Sequence, residues 1–287
     1  MSTKLFERTD SSGLVTTAVF MEQAPSPAPQ FFDLPAHVDS DMVAVGGGAT
    51  AAEAPNGALL TASYPAVNRL AWLASSKDHR VPNPHRLIVF AIGMKINSPD
   101  MPRSKLLTSL FSQNVTSAVA AHPSAKVDVV PGFTMIGGGF RVNWPPGAGN
   151  LATGSFPGDI DTTSDWTARS KDHITPSPCT IDVFSMAIQN VLTIGGRQFR
   201  VDRRIDRLAN TVAVEHPSAE IPFEGPHVLT GIGAKARVED PGQLLWRLEP
   251  TASGGSQPGV TGASKDHQLV LRSFITVSAL GIRLLPG

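Results

Sequence analysis

The stretch WLASSKDH at residues 72–79 decides the fold, because it recurs as WTARSKDH at 166–173. Its last four letters occur again at 264–267, so SKDH appears three times at a constant spacing of 94 residues. An ungapped comparison of 71–91 with 165–185 finds identity at ten of 21 positions. We therefore predict three tandem repeats of about 94 residues, at 1–100, 101–194 and 195–287. The third repeat is degenerate, with Val260 in place of the tryptophan.

The composition predicts an all-β fold. The 287 residues include 26 Gly and 24 Pro, which favour many turns between short strands. Charged residues make up only 17%, and 24 Lys and Arg balance 24 Asp and Glu, so no nucleic-acid partner is expected. The one cysteine, Cys179, excludes an internal disulfide.

From its first residues and its apolar segments, we expect the protein to be made without a Sec-type signal and not to insert into a membrane. Its start, MSTKLFERTD, lacks the apolar stretch of a secretory signal, and no apolar run of about 18 residues occurs anywhere. We expect a soluble protein that does not insert into a membrane. It is expected to be cytoplasmic or to leave the cell by a route without a signal peptide.

Alternation and turn residues divide the second repeat into six short strands. Apolar residues recur at helical spacing between the repeats, so short linker helices are expected at 101–112 and 201–208. These junctions are apolar, unlike flexible linkers, so we expect the three β-modules to pack together with pseudo-threefold symmetry. The expected strands of the second repeat are 115–121, 125–130, 133–142, 151–156, 166–171 and 180–188.

Each repeat also carries a glycine cluster, at 46–48, 137–139 and 231–233, where Ile232 interrupts the third. No GK[ST] and no helix follow these glycines, which excludes a phosphate-binding loop. The clusters instead indicate a β-bulge, or a position that another backbone or a large ring approaches closely.

The SKDH tetrapeptide has three interpretations. It is a turn whose Asp satisfies backbone N–H groups, or a ligand site in which Asp accepts hydrogen bonds from hydroxyls and Lys or His donates them. In the third interpretation, three histidines meet and bind zinc or nickel. The candidate ligand-binding residues are Ser76, Lys77, Asp78, His79, Ser170, Lys171, Asp172, His173, Ser264, Lys265, Asp266 and His267, with Trp72 and Trp166.

The four tryptophans offer flat faces on which sugar rings stack. Trp72 and Trp166 occupy matching repeat positions and are either core anchors or part of a ligand site. Trp144 and Trp246 are also available, but they do not match each other in the repeat.

Catalysis has little support in the sequence. Neighbours on a strand point apart, and no GxSxG, HExxH or CxxC motif accompanies SKDH, so we predict no catalytic residue and no cofactor. Cys179 replaces His85 of the first repeat and is interpreted as a buried or incidental thiol. The five arginines between 197 and 207 are interpreted as a solvated helix face, with an anionic partner as the alternative.

The order of these motifs resembles a poorly characterised bacterial module of surface, collagen-like and phage-related proteins. The first repeat carries it as GGGA at 46–49, LTASYP at 60–65, Trp72, SKDH and LIVFAI at 87–92. That module has CPxG before the glycines and a final YAxC, which implies a disulfide there. Here VPG at 130–132 and FAIG at 90–93 lack both cysteines. The resemblance implies a β-rich surface or binding module and no particular chemistry.

We therefore expect a non-enzymatic binding protein that presents three related surfaces to a carbohydrate or another cell-surface ligand. Three weak sites in fixed geometry would raise the avidity for a repetitive target. The alternatives are a structural subunit of a phage-like or extracellular assembly, and an enzyme with a pocket between repeats. The sequence is compatible with a homo-oligomer.

Overall fold

The computed structural model describes residues 2–54, 57–145, 147, 149–158, 164–237, 242–253 and 257–287. Within these residues the chain forms 20 β-strands and one short helix, which confirms the all-β prediction. In chain order the elements are β1 (Thr3–Thr9), β2 (Val15–Gln23), β3 (Gln30–His37), β4 (Val43–Thr50), β5 (Ala58–Pro65), β6 (Ala71–Asp78), β7 (Ile88–Ile96), α1 (Arg103–Thr108), β8 (Leu110–Thr116), β9 (Ser124–Asp128), β10 (Phe133–Asn143), β11 (Asn150–Pro157), β12 (Asp165–Asp172), β13 (Thr180–Gln189), β14 (Val191–Ile194), β15 (Arg197–Ala209), β16 (Ser218–Pro222), β17 (Val228–Ala236), β18 (Leu244–Ser253), β19 (Gln257–Lys265) and β20 (Ile275–Pro286).

The strands assemble into three sheets. Their strand orders are β1-β2-β7-β4-β18-β19-β16, β3-β6-β5-β10-β13-β8 and β14-β15-β20-β17-β11-β12-β9. Apart from β14, which ends the second repeat and pairs with β15, each sheet joins strands from two of the expected repeats through one antiparallel pair: β5 with β10, β11 with β17, and β18 with β4. We call these pairs the first, second and third seam. They pair strands that would otherwise be open sheet edges.

Five of the six strands expected in the second repeat agree with the structure within about two residues at each end. The expected strand at 115–121 is wrong, because the strand here is β8, which begins at Leu110. Its first two residues, Leu110 and Phe111, lie opposite Ile188 and Ala187 of β13. Pairing with this apolar part of β13 moves the strand towards the N-terminus.

The linker helices are the main error of the sequence analysis. At 101–112 the helix covers only Arg103–Thr108 before β8 begins. The stretch 201–208 is no helix, and its arginines lie on β15, which pairs with β20. Val201 and Ile205 are four residues apart, which places them on one face of a strand as well as on one face of a helix. This spacing therefore does not distinguish a strand from a helix. Leu208, at odd spacing, is 47% exposed.

Trp72 and Trp166 are core anchors, each 0% exposed. The Nε1 atom of Trp72 donates to Ser63 Oγ at 2.8 Å, and that of Trp166 donates to Ser155 Oγ at 2.9 Å. Each ring lies against the middle glycine of a cluster. A Cβ atom added to Gly47 would lie 2.4 Å from Trp72 Cγ, and one added at residue 138 would lie 2.3 Å from Trp166 Cδ2.

In the third repeat, the tryptophan, the serine that accepts its hydrogen bond and the middle glycine are all replaced. Val260 lies opposite Pro250 as Trp72 lies opposite Pro65. The serine that accepts from the tryptophan becomes Leu248, and the middle glycine becomes Ile232; both are 2% exposed. The large ring, its hydrogen-bond partner and the small residue beneath it have thus changed together, and an apolar core remains.

The glycine clusters combine both features that the sequence predicts for them. Register shifts typical of β-bulges occur between Ala44 and Gly46, between Met135 and Gly137, and between Leu229 and Gly231. A Cβ atom on Gly46 would lie 2.1 Å from Thr230 O, one on Gly137 2.9 Å from Val45 O, and one on Gly231 2.6 Å from Ile136 O. We call Gly46, Gly137 and Gly231 the central glycines, because β4, β10 and β17 contact one another there.

Candidate functional site

Three SKDH histidines, His79, His173 and His267, come together in the interior. Their ring centroids lie 5.0 to 5.7 Å apart in edge-to-face arrangement, and each residue is at most 2% exposed. We call them the histidine triangle. The Nε2 atom of His79 lies 2.8 Å from the carbonyl oxygen of His173, and that of His173 lies 2.5 Å from the carbonyl oxygen of His267.

A metal centre does not fit these two contacts. A carbonyl oxygen only accepts hydrogen bonds, so Nε2 of His79 and of His173 carries a proton and cannot coordinate zinc or nickel. Among the residues that the structure describes, no group of three or more His, Cys, Asp or Glu side chains could hold a metal ion. The triangle instead links the SKDH turns to one another.

The SKDH aspartates act as the turn interpretation expects. The Oδ2 atom of Asp78 accepts from the backbone N–H of Asn83 at 2.7 Å. Asp172 accepts from Ser177 N at 3.0 Å, and Asp266 from Leu271 N at 2.9 Å. Each aspartate thus holds the backbone five residues later, across a turn in which Arg80, Ile174 and Gln268 have positive φ angles of 58°, 65° and 63°.

The SKDH lysines are buried as well. Lys77 Nζ donates to Gly147 O at 2.9 Å, which links the first and second repeats. Lys265 Nζ donates to Ala52 O at 2.6 Å and to Glu53 O at 3.1 Å, which links the third repeat to the first. Burial lowers the pKa of Lys77 to about 8 and that of Lys265 to about 7. Lys171 is 2% exposed.

Ser76 takes part in an arrangement that resembles a Ser-His-Asp triad. Its Oγ atom lies 2.8 Å from His85 Nε2, and Asp78 Oδ1 lies 3.7 Å from His85 Nδ1, beyond hydrogen-bond reach. The Nδ1 proton is instead donated to Asn83 O at 2.8 Å. Ser76 is 1% exposed and His85 5%, and burial lowers the pKa of His85. Ser170 and Ser264 are equally buried.

A different site opens at the first seam. It is a cavity of about 270 Å³. A register shift in β3 between Phe31 and Leu34 displaces Phe32 and Asp33 from the strand pairing, and Asp33 has a φ angle of 50°. We call this cavity the seam pocket. Its lining consists of Phe32, Asp33, Thr61, Ala62, Ser75, Arg141, Val142, Asn143 and Trp144.

Two aromatic rings form one wall of the seam pocket. Phe32 and Trp144 stack with centroids 5.7 Å apart and an interplanar angle of 24°. Phe32 is 62% exposed. Lys77 Nζ lies 4.2 Å from the centroid of Trp144, so this buried lysine supports the ring.

Polar groups surround the aromatic wall. Ser75 Oγ donates to Asp33 Oδ1 at 3.2 Å and accepts from Asp33 N at 2.9 Å. Burial, together with a hydrogen bond to Asp33, raises the pKa of Tyr64 to about 12. Arg141 lies over the Tyr64 ring at 5.6 Å. Thr61 is 1% exposed, and its Oγ1 atom has no hydrogen-bond partner among the described residues.

Most of these residues are not predicted from the sequence. Trp144 is available for sugar stacking but has no match in another repeat, and no pattern indicates Phe32, Asp33 or Arg141. The signal that could have found them is departure from the repeat. Trp144 has no tryptophan at the matching position of another repeat, and 32–33 follow APSPAP at 24–29, where the other repeats have HPSA at 122–125 and 216–219.

Comparison with known proteins finds no matching family model and no significantly similar curated protein. The resemblance to the bacterial surface module therefore stays a prediction. In the described part of the chain, no helix has the length and apolar character needed to cross a membrane.

Proposed function

We propose that the chain consists of three copies of one β-module closed around a pseudo-threefold axis, and that it acts as a non-enzymatic carbohydrate-binding protein. Three recurring contacts support the architecture: the histidine triangle, the central glycines and the three seams. The resemblance to surface-protein modules agrees with a binding role.

The seam pocket carries the proposal of a carbohydrate ligand. Sugar-binding sites combine a flat aromatic surface for the apolar face of the ring with side chains that pair with hydroxyl groups. Phe32, which is 62% exposed and stacks on Trp144, supplies the first, and Asp33, Arg141 and Asn143 supply the second. The volume of about 270 Å³ suits a single sugar ring.

This proposal moves the site away from the SKDH tetrapeptides. Their Ser, Lys and His side chains are at most 4% exposed, which favours a structural role over ligand contact. The other seams differ in chemistry. At the second seam Lys235 lies over Phe156 at 5.0 Å, as Arg141 lies over Tyr64, whereas at the third seam Thr50 donates to Glu249 at 3.1 Å. We therefore propose one complete sugar site instead of three.

The pocket chemistry favours binding over hydrolysis. Glycosidases generally use two carboxyl groups on opposite sides of the scissile bond. Among the described residues that line the seam pocket, Asp33 supplies the one carboxylate, and it is already hydrogen-bonded to Ser75. The enzyme alternative thus lacks the second group that it would need here.

A glycan array followed by calorimetry tests the proposal. We expect the wild type to bind a defined set of glycans, and Trp144→Ala and Phe32→Ala each to weaken binding by about tenfold. Phe274→Ala is the matched control, because it removes an aromatic ring beside another cavity. Failure of the folded wild type to bind any glycan would refute the proposed function.

A structural subunit is the second candidate. Several apolar side chains are strongly exposed, including Val119 at 68%, Val212 at 66% and Val270 at 75%, which would suit contacts in a homo-oligomer or larger assembly. Sedimentation at increasing protein concentration should then show association. A monomer at high concentration would count against this candidate.

A further inference from the structure

We infer that the sugar bound in the seam pocket carries a carboxylate, as a uronic acid does, and that Arg141 binds this group. The inference rests on the proposed carbohydrate site and adds the ligand's charge.

Arg141 is the one cationic side chain among the described residues that line the seam pocket. It lies on β10 at the first seam, opposite Ala62 of β5. Its contact is with the face of Tyr64, and it forms no ion pair with a carboxylate in the described part of the chain. A guanidinium is planar and matches a carboxylate through two parallel hydrogen bonds, which makes a carboxylate its best complement.

The neighbouring carboxylates are engaged by hydroxyl groups. Asp33 accepts from Ser75 Oγ at 3.2 Å, and burial, together with the charge of Asp33, raises the pKa of Tyr64. Asp182 lies opposite Arg141 in the β10–β13 pairing, but it accepts from Thr116 Oγ1 at 2.6 Å. Lys77, behind Trp144, adds positive charge to this side of the pocket at neutral pH.

Thr61 supplies a second anchor that does not depend on charge. Its Oγ1 atom is buried and lacks a hydrogen-bond partner among the described residues, although it lines the pocket. Buried hydroxyl groups are normally paired, so a ligand hydroxyl is the partner that would complete it. A single ring that pairs with Thr61 and Arg141 and stacks on Phe32 uses each of these features.

Calorimetry with matched monosaccharides tests the inference. The probes are glucuronate and galacturonate, with glucose and galactose as neutral counterparts. We expect at least one acid to bind about tenfold more tightly than its neutral counterpart, and this preference to weaken with added salt. Arg141→Gln should abolish the preference, because it should weaken binding of the acid more than binding of the neutral sugar. Arg141→Lys should retain part of it.

Two controls separate the possible failures. Arg200→Gln removes an exposed arginine on β15, which belongs to another sheet and does not line the pocket, and should change neither affinity. Thr61→Val should weaken the acid and the neutral sugar alike. Equal binding of acidic and neutral sugars, or an unchanged preference in Arg141→Gln, would overturn the carboxylate inference while leaving carbohydrate binding intact. Absence of binding by every mono- and oligosaccharide would overturn both.

Discussion

Substitution of the central glycines by alanine tests the close contact between the three sheets. Ordinary van der Waals contact of a Cβ atom begins at 3.4 Å, and the nearest backbone atom would lie at 2.1 Å for Gly46, 2.6 Å for Gly231 and 2.9 Å for Gly137. The surrounding backbone must therefore open by about 1.3, 0.8 and 0.5 Å respectively, in a close-packed interior.

Overpacking of this kind costs about 1 to 3 kcal/mol, and more where backbone cannot move. We expect Gly137→Ala to cost about 1 kcal/mol, Gly231→Ala about 2 kcal/mol, and Gly46→Ala more than about 3 kcal/mol, measured by urea unfolding. Gly132→Ala is the control, because its φ angle is +91° and no atom lies within 4 Å of an added Cβ. It reports backbone strain without crowding, at about 1 to 2 kcal/mol.

The order of the three costs is the decisive result. If Gly46→Ala were no more destabilising than Gly132→Ala, the backbone atoms around Gly46 would not be in contact, and closure around the central glycines would be refuted. If all three variants cost the same, the distances would not determine the energy. Gly137→Ala is the mildest change and should still fold, which keeps the comparison measurable.

Three further predictions concern the buried polar groups. Ser63→Ala leaves the Nε1 proton of Trp72 buried without its partner, and should lower the free energy of unfolding by about 1 to 3 kcal/mol in urea titrations. Asp78→Ala removes the acceptor of the Asn83 N–H and should lower the free energy of unfolding by about 1 kcal/mol. Sugar affinity should stay unchanged, and a selective loss of binding would contradict the structural role. Burial lowers the pKa of Lys265 from 10.5 to about 7, so between these pH values the folded state binds fewer protons than the unfolded state. The free energy of unfolding of the wild type should therefore increase by about 2 kcal/mol relative to that of Lys265→Met from about pH 7 to about pH 9. A difference that does not change with pH would show that Lys265 does not titrate in this range.

The sequence predicted those features that depend on local chemistry. The Gly and Pro content indicated short strands. Neither a helix nor GK[ST] follows the glycine clusters, so the clusters indicated bulges or close contacts. The Asp of SKDH was interpreted as a turn acceptor, and three N–H···O contacts agree. Five strand positions in the second repeat followed from alternation, because one face of each is buried.

Features that depend on distant parts of the chain were not predicted. The stretch 201–208 is a strand because β20, some 75 residues later, pairs with it along its length. The seams join strands of different repeats, and no local pattern indicates which edges meet. The seam pocket depends on that pairing, since Thr61 and Arg141 become neighbours only when β5 pairs with β10.

The contrast between the buried and the exposed parts of the repeat explains where a binding site can arise. The side chains packed around a core position restrict which residue can occupy it. In the third repeat, Val260, Ile232 and Leu248 accordingly replace the tryptophan, the middle glycine and the serine together. The matching seam positions are less buried than the core, and there the repeats differ, with Arg141 and Lys235 at two seams and Thr50 at the third. A ligand site is therefore expected among residues that depart from the repeat, and Trp144 with Phe32 is such a departure beside a cavity. The constant SKDH letters, by the same reasoning, indicate contacts that hold the three sheets together.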